Sequence, residues 1–560
     1  MASVEHGVHA ISDRYVADFA ALDPLTATFQ GIGGYDDQLP DMSPEGHNAR
    51  GELAARALRE MTGTEPADDS ERNAKAVFLE RIGLEVEVHQ AGLRTSELNV
   101  MESAPHSITM AFDLMPIETA EDWQVIADRL VKVPQTIAGY EASLRYSAER
   151  GQVSALRQVQ RTADQCDTWS GATGGTSFFD RMVGDARAVP GAPHEVLAQA
   201  ARAANESYAK LAEFLRTELA PLAPTEDAVG AEAYSLWSRM YLGAALDLIE
   251  AYHWGWAEFT RIEAEMKDVS GRIKAGATLM EAAAELDANP RYKLSGKQAL
   301  IDWMRQLSDA ALADLRGTHF DIPDELMRLD CKIAPPGGPL GAYYTGPSDD
   351  FARDGAMWWS IEQGVEDFLT WRETSTVYHE GVPGHHLQIA TAVHEAASLN
   401  RFQRLLTWVP GYGEGWALYA ERLMREFGYL DDDGDLLGML DAHLFRAARV
   451  IVDIGMHLKL EIPAGTGFHE GERWTPELAL EFMDNKTLTD PAHVRSEVDR
   501  YLGWPGQAPA YKLGERMWLA ARDEVRSRHG DSFDLKDFHM RALRMGPLGL
   551  DTLRERLAAF

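Results

Sequence analysis

The chain has 560 residues, of which 45% are hydrophobic and 25% charged, and its 88 Asp and Glu outnumber 54 Lys and Arg to give a net charge of −34. This composition is typical of a globular protein with a large core and excludes the disordered and fibrous classes. The acidic excess opposes binding to phosphate backbones and anionic membrane surfaces, so we expect neither nucleic acid nor a membrane as a partner.

Cysteine usage and the N-terminal sequence bear on the location of the protein. The two cysteines, Cys166 and Cys331, are far apart and form no CxxC pair, which argues against a disulfide framework and a thiolate zinc site. The first twenty residues show no basic stretch followed by an apolar core, and no run of 18 apolar residues occurs. We therefore predict a cytoplasmic protein, and the sequence leaves its oligomeric state open.

The N-terminal half is predicted to be helical. Residues 70–93, 119–150 and 193–219 place apolar side chains at steps of three and four over long windows. Strand-like alternation is scarce. The sequence therefore predicts a mainly α protein.

Paired prolines and glycines interrupt this pattern in residues 331–355 and indicate a long irregular crossing. We place a boundary near residue 335. The prediction is an N-terminal helical lobe, residues 1–334, and a C-terminal helical lobe, residues 335–560. Ligand-type residues gather in four places, all of them in the second lobe.

The first place is HEGVPGHH, residues 379–386. His379 and Glu380 begin like HExxH, in which two histidines one helical turn apart bind zinc and the glutamate deprotonates water. His385 comes too late to share a metal with His379 on a straight helix, because it would lie about 240° around the axis and roughly 9 Å along it. The Pro-Gly pair between them distorts a helix, and a bulged turn would bring His385 back. On these residues alone, a metal site and a structural cluster both stay open.

The second place is a predicted helix in residues 409–430 that carries Glu414 near its start. A catalytic zinc ion takes three protein ligands, and the third is often a glutamate on a later helix. The alternative is that Glu414 favours a helix N-terminus through the macrodipole, with Glu421 in a surface ion pair.

The third place is a predicted helix in residues 442–460 with a polar stripe. The stripe consists of His443, Arg446, Arg449, Asp453 and His457. A solvated face of an amphipathic helix is one interpretation. The other is a buried stripe of paired charges, since a solvated face usually carries Lys and Glu instead of Arg, Asp and His.

The fourth place, residues 496–515, is too irregular for one helix and contains Tyr501 and Tyr511. Either phenol is able to donate a hydrogen bond to an oxyanion during hydrolysis. Both tyrosines are equally compatible with core positions that keep a hydrogen-bonding tip.

Together these segments resemble the bacterial "domain of unknown function 885" family. The chain carries the four family motifs as HEGVPGH, EGWALYAE, RAARVIVDIGMH and RYLGWPGQAPAYKLG, which start at His379, Glu414, Arg446 and Arg500. Weaker matches in the N-terminal half extend the resemblance over most of the chain.

The resemblance implies a branch of the zinc metallopeptidase superfamily with a glutamate as third ligand. Its large, two-lobed helical fold is similar to those of angiotensin-converting enzyme and thimet oligopeptidase, with an active-site cleft between the lobes. In this family the Pro-Gly pair is an insertion before the second ligand histidine. We therefore assign His379, His385 and Glu414 to zinc and keep His386 as a reserve ligand or substrate contact.

The implied function is hydrolysis of peptide bonds in short peptides, with Glu380 as general base for a zinc-activated water. By analogy with related peptidases, Tyr501 stabilises the oxyanion, with His457 or Tyr511 as less secure partners.

Arg353, Arg446 and Arg449 are predicted either to bind a substrate carboxylate or to serve Asp453 and other buried acids. Two other function classes stay open. One is a metal-dependent hydrolase of a small non-peptide amide or ester. The other is a non-catalytic binding protein that retains the peptidase fold.

Overall fold

A computed structural model of the protein describes residues 7–334, 341–362 and 364–559. These residues are mostly helical, with five short strands, which confirms the predicted mainly α fold. Residues 70–93 lie largely in one helix, 119–150 in two consecutive helices, and 193–219 in one helix that ends in a π turn.

Contacts between Cα atoms divide the chain into two compact units. Unit 1 comprises Met1–Ala67, Arg81–Leu236 and Asp499–Trp504, and unit 2 comprises Asp68–Glu80, Trp237–Val498 and Pro505–Phe560. The predicted boundary near residue 335 lies outside the described residues, and the lobes 1–334 and 335–560 stay a prediction.

Unit 1 is built from helices around one apolar core that includes Trp123 and Tyr208. Its helices are α1 (Val8–Leu22), α2 (Pro24–Phe29), α3 (Pro44–Thr62), the second part of α4 (Asp69–Gln90), α5 (Ala104–Asp113), α6 (Ala120–Leu130), α7 (Val133–Ala148), α8 (Leu156–Ser170), α9 (Phe178–Asp185), α10 (His194–Phe214) and the first half of α11 (Gly230–Leu242). Capping residues set several of their starts. At α6, for example, Thr119 and Asp122 form a capping box.

Unit 2 contains the first part of α4 and the remaining helices. They are the second half of α11, α12 (Leu248–Ile273), α13 (Leu279–Ala288), α14 (Lys297–Leu315), α15 (Thr370–Glu380), α16 (His385–His394), α17 (Pro410–Glu426), α18 (Asp433–Leu458), α19 (Pro476–Lys486), the start of α20 (Pro491–Gly503), α21 (Ala510–His529), α22 (Leu535–Arg544) and α23 (Leu550–Ala558). The predicted helix in residues 442–460 is the last part of α18, and residues 496–515 are divided between α20 and α21, as predicted.

Two small sheets lie in unit 2. Their strands are β1 (Lys293–Ser295), β2 (Leu329–Ile333), β3 (Ala342–Thr345), β4 (Gly355–Trp359) and β5 (Asp367–Leu369). β1 pairs antiparallel with β5, while β4 lies between a parallel β2 and an antiparallel β3. Residues 331–355, which we predicted to be an irregular crossing, therefore contribute to three strands. Pairing with β4 determines these short strands, and their own alternation is too brief to indicate them.

Glycines permit close packing of the helices that carry the ligand-type residues. α17 packs on α21, where a Cβ on Gly415 would lie 2.5 Å from the carbonyl carbon of Gly514. α18 packs on α15, where a Cβ on Gly438 would lie 1.9 Å from the carbonyl oxygen of Trp371. Because no larger residue fits at these contacts, α17 lies close to α21 and α18 lies close to α15.

Candidate metal centre

The segment between His379 and His385 is a break between two helices instead of the predicted bulged turn. α15 ends at Glu380, and α16 begins at His385. A Cβ on Gly384 would lie 1.9 Å from the carbonyl oxygen of His379, so this tight crossing requires glycine. Because the chain changes direction at this break, the two histidines meet despite their long spacing in sequence. Their imidazole ring centroids lie only 4.9 Å apart.

Glu414 joins the two histidines from the second turn of α17. Its Oε2 atom lies 3.3 Å from His379 Nε2 and 3.5 Å from His385 Nε2. One donor atom from each of the three side chains lies within 4.8 Å of the other two. Tetrahedral zinc with bonds of about 2.0–2.1 Å separates its ligand atoms by about 3.3 Å. These three residues therefore fit a single ion of this kind, and all of them belong to unit 2.

Charge is concentrated in this cluster. Burial alone would lower the pKa of His379, but hydrogen bonds with Glu414 and Glu421 outweigh it and raise the pKa to about 9. Burial would likewise raise the pKa of Glu414, yet His379 and His385 hold it far below its usual value. The carboxylate is thus ionised, and it attracts positive charge to this position whether a proton or a metal ion supplies it.

Glu421 orients the first histidine from two helical turns further along α17. Its Oε1 atom lies 2.8 Å from His379 Nδ1, and its Oε2 atom accepts a hydrogen bond from Ser375 Oγ. Burial would raise the pKa of Glu421, but hydrogen bonds with His379 and His443 hold it well below its usual value. Because an ionised carboxylate only accepts, His379 Nδ1 carries the donated proton, and Nε2 is the ring nitrogen that faces Glu414, where a metal ion would take the place of the second proton.

Glu380 follows His379 directly and is 6% exposed. Burial raises its pKa, with an additional contribution from the negative charge of Glu414, while His385 and His379 act in the opposite direction. Glu380 and Glu421 are thus two buried carboxyl groups beside the cluster that are not among its three donors, and Glu380 differs in that its pKa is raised.

His386 does not join the cluster. Its Nε2 atom donates to the carbonyl oxygen of Leu326 at 2.8 Å, and its Nδ1 atom accepts from the hydroxyl of Tyr344 at 2.9 Å. Burial lowers its pKa to about 4, so the ring is neutral and both nitrogens are used in structural hydrogen bonds.

The polar stripe of α18 is largely buried. This agrees with the interpretation of it as a buried stripe of paired charges and not with a solvated face. His443, Asp453 and His457 are at most 1% exposed. Asp453 accepts from the amide of Gly506 at 2.9 Å. Arg446 donates to the carbonyl of Ala442, and its charge lowers the pKa values of Glu380 and Glu421. The substrate role of Arg446 and the oxyanion role of His457 stay predictions.

Arg449 is 9% exposed and donates to Glu497 at 2.7 Å. Its guanidinium also lies over the ring of Tyr511, 4.9 Å from the centroid, in a cation–π contact. Tyr501 is fully buried and belongs to unit 1. The roles predicted for Arg449, Tyr511 and Tyr501 are untested by this geometry and stay predictions.

Glu421 and its neighbours are the residues whose part in the site the sequence analysis missed. We considered Glu421 only as a member of a surface pair, although it is 1% exposed. Two periodic signals point to it. Glu414 and Glu421 are seven residues apart on one face of α17, and Ser375 and His379 are four residues apart on one face of α15.

Comparisons with known proteins agree with the sequence resemblance. A family model described as "Bacterial protein of unknown function (DUF885)" matches residues 24–557. No curated protein matches the chain significantly.

Several solved structures match the chain. A "putative lipoprotein" from Colwellia psychrerythraea has a TM-score of 0.81 and 23% identity over 99% of this chain and 98% of its own. A "putative lipoprotein of unknown function" from Shewanella oneidensis has a TM-score of 0.77 and 16% identity over 99% of this chain and 100% of its own. A "putative oligoendopeptidase F" from Bacillus anthracis str. Ames reaches a TM-score of only 0.35 at 13% identity, covering 98% of this chain and 92% of its own, which supports no inference.

The predicted cytoplasmic location is contradicted by these names. Both structures with a similar fold are named lipoproteins, a class that is exported and anchored by lipid. A low cysteine count fits a reducing compartment, but an exported protein without disulfides has the same count, so this signal does not separate the two locations. No helix among the described residues is both long and apolar enough to span a bilayer.

Proposed function

The chain belongs to the bacterial protein family of unknown function DUF885, and on this premise we propose that it is a zinc-dependent hydrolase that cleaves peptide bonds in short peptides. One observation carries the proposal. Three side chains with the spacing of tetrahedral ligands lie beside a buried carboxyl group, that of Glu380, which is outside the ligand set.

His379, His385 and Glu414 would hold the ion. Two imidazoles and one carboxylate are a common catalytic zinc set, which leaves a fourth position for the reaction. When bound, zinc supplies Lewis-acid chemistry, since it polarises a carbonyl group and lowers the pKa of water. Glu421 keeps the proton of His379 on Nδ1, so Nε2 is the atom available as ligand.

Glu380 is the general base in this proposal. The attacking water loses its proton to the Glu380 carboxylate, and the same group later gives that proton to the leaving amine. Burial raises the pKa of Glu380, which makes it a stronger base than an exposed glutamate and improves proton transfer near neutral pH.

Arg446 is the preferred candidate for a substrate carboxylate. Its charge acts on both Glu380 and Glu421, so it lies near the reacting groups. Arg449 is less suited, because Glu497 and the ring of Tyr511 already engage its guanidinium. A cationic group at this position favours peptides with a free carboxylate close to the cleaved bond.

The test compares the wild type with Glu380→Gln in metal content and in hydrolysis of a mixed peptide library. We expect about one zinc ion per chain in both proteins and a loss of hydrolysis of about 10²- to 10⁴-fold in the variant. Glu395→Gln is the matched control, because Glu395 also follows a histidine but pairs with Arg544 at the surface.

Three results would change the conclusion. Absence of zinc from the wild type, even after metal is added back, would favour the non-catalytic binding protein. Hydrolysis of only small amides or esters would move the chain to the second hydrolase class. Zinc that persists in His379→Ala and Glu414→Ala would overturn the ligand assignment.

A further inference from the structure

A chain of buried contacts connects the candidate ligand His379 to α21. Glu421 Oε2 lies 3.4 Å from His443 Nε2, and His443 Nδ1 lies 3.0 Å from Lys512 Nζ. The side chains of Glu421, His443 and Lys512 are at most 2% exposed. With the contact between Glu421 and His379, four side chains from α15, α17, α18 and α21 form one continuous line.

The chemistry of Lys512 determines which ring nitrogen of His443 carries the proton. An ammonium group has three donors and no acceptor. His443 Nδ1 must therefore accept from Lys512, and a neutral His443 carries its proton on Nε2, which faces Glu421. Burial and the charge of Lys512 both lower the pKa of His443, consistent with a neutral ring.

Acidic neighbours surround Lys512. It forms ion pairs with Glu515 and, at 3.1 Å, with Glu258. Arg422 binds the other oxygen of Glu515 at 2.8 Å. A buried ammonium group requires such pairing, since an unpaired charge in the interior is strongly unfavourable.

We propose that Lys512 and His443 are positioning residues that, through Glu421, fix the tautomer and ring orientation of the metal ligand His379. This inference rests on the proposed zinc site. It adds that a residue on α21 determines the positions of the protons at the site, although three other side chains separate that residue from the ion. Lys512 donates to His443 Nδ1, which leaves the His443 proton on Nε2, 3.4 Å from Glu421, and Glu421 accepts from His379 Nδ1, so His379 Nε2 is the ring nitrogen that faces the ion.

The decisive comparison is between His443→Gln and His443→Leu. The glutamine amide accepts from Lys512 through its oxygen and donates to Glu421 through its nitrogen, so it preserves the direction of the line. Leucine has a similar size but forms no hydrogen bond, so it interrupts the line between Lys512 and Glu421. We expect His443→Leu to weaken zinc binding about 10- to 100-fold in competition with a chelator, as for other outer partners of metal ligands. His443→Gln should stay close to the wild type.

A second readout monitors the ligand geometry without any activity assay. Cobalt(II) replaces zinc in such sites and absorbs visible light according to its ligands. We expect an altered cobalt spectrum for His443→Leu and a wild-type spectrum for His443→Gln. Thermal melting establishes that each variant is folded. If His443→Leu does not fold, His443→Asn serves instead, because its shorter amide reaches one neighbour but not both.

Lys512 is tested by a double-mutant cycle. If Lys512 acts through His443, Lys512→Met weakens zinc binding in the wild type but adds little in the His443→Leu background. Equal zinc affinity and an unchanged cobalt spectrum in folded His443→Leu, or fully additive effects of the two substitutions, would overturn the inference. A wild type that binds no zinc would overturn the proposed function along with it, so the two failures are distinguishable.

Discussion

His385 and His386 are adjacent in the chain, yet their side chains have different surroundings. The Nε2 atom of His385 faces Glu414, whereas both ring nitrogens of His386 are hydrogen-bonded to Leu326 and Tyr344. Successive residues of a helix point about 100° apart, so a helix that begins at His385 directs only one of the two rings to the cluster.

His386→Leu is therefore predicted to affect stability and leave metal binding intact. The substitution leaves the Leu326 carbonyl and the Tyr344 hydroxyl without their buried partner, which costs about 1–3 kcal/mol for each group. We expect a lower melting temperature at an unchanged zinc content. His385→Leu is the matched variant and should lose zinc. A His386→Leu protein of wild-type stability that contains no zinc would restore His386 as a ligand.

Asp441 gives a pH-dependent prediction. Burial raises its pKa from 3.8 to about 6, despite a hydrogen bond from the amide of Leu488. Between these two values the folded state binds more protons than the unfolded state, so this carboxyl group destabilises the fold as the pH rises through that range. In Asp441→Asn, the amide oxygen still accepts from Leu488 and the buried charge is absent.

We expect Asp441→Asn to match the wild type near pH 4 and to exceed it by on the order of 1–3 kcal/mol at pH 7 and above. Denaturant unfolding at several pH values measures this difference. Asp484→Asn, at an exposed position on α19, is the control for the substitution itself. A stability difference that is the same at pH 4 and pH 7 would contradict the assignment.

At the scale of elements, the break between α15 and α16 allows a late histidine to reach the metal site. The two helices meet so closely that Gly384 lies against the backbone of His379. The position of His385 relative to His379 therefore depends on the absence of a side chain at residue 384.

Gly384→Ala is predicted to weaken zinc binding by separating the two histidines. The added Cβ would lie 1.9 Å from the carbonyl oxygen of His379, and backbone must shift to relieve the overlap. We expect a loss of zinc affinity of at least tenfold together with a lower melting temperature. Gly271→Ala is the control, because Gly271 lies in α12 with no atom near its Cβ position and alanine there should stabilise the helix by roughly 0.5–1 kcal/mol. Unchanged zinc affinity in Gly384→Ala would show that the backbone at this crossing accommodates a Cβ at residue 384.

Periodic elements were predictable from the sequence, and the others were not. α4, α10 and α18 have long apolar periods that indicate helices without further information. β3 has four residues, and its pairing with β4 across a turn decides its structure. The three donors were identifiable because a resemblance explained their spacing. Lys512 lies in the fourth family motif, but the motif does not indicate its role, which arises only when α21 packs against α18.

At the scale of the molecule, the two units are not continuous in sequence. Unit 2 takes Asp68–Glu80 from the first part of the chain, and unit 1 takes Asp499–Trp504 from the last part. Within unit 2, Phe78 is fully buried with its ring centroid 4.7 Å from that of Phe402. A contact between residues so far apart in sequence makes the fold of unit 2 depend on the N-terminal part of the chain.

The fragment of residues 237–560, which contains every candidate ligand, is therefore predicted to be unstable when expressed alone. It lacks Phe78, and removal of a buried phenylalanine side chain costs about 3–5 kcal/mol. We expect aggregation or a much lower melting temperature than that of the full chain. Phe78→Ala in the full chain should reproduce part of this loss. A fragment that stays monomeric, melts like the full chain and binds zinc would contradict the dependence.

Glu414 and Glu421 contact opposite nitrogens of the same imidazole from one helix. Seven residues of α-helix place them about 10.5 Å apart along the axis and on nearly the same face. Insertion or deletion of a single residue between them would rotate one carboxylate by about 100° relative to the other. The number of residues between the two glutamates is therefore as important to the site as the glutamates themselves, because only this length lets both carboxylates face one imidazole.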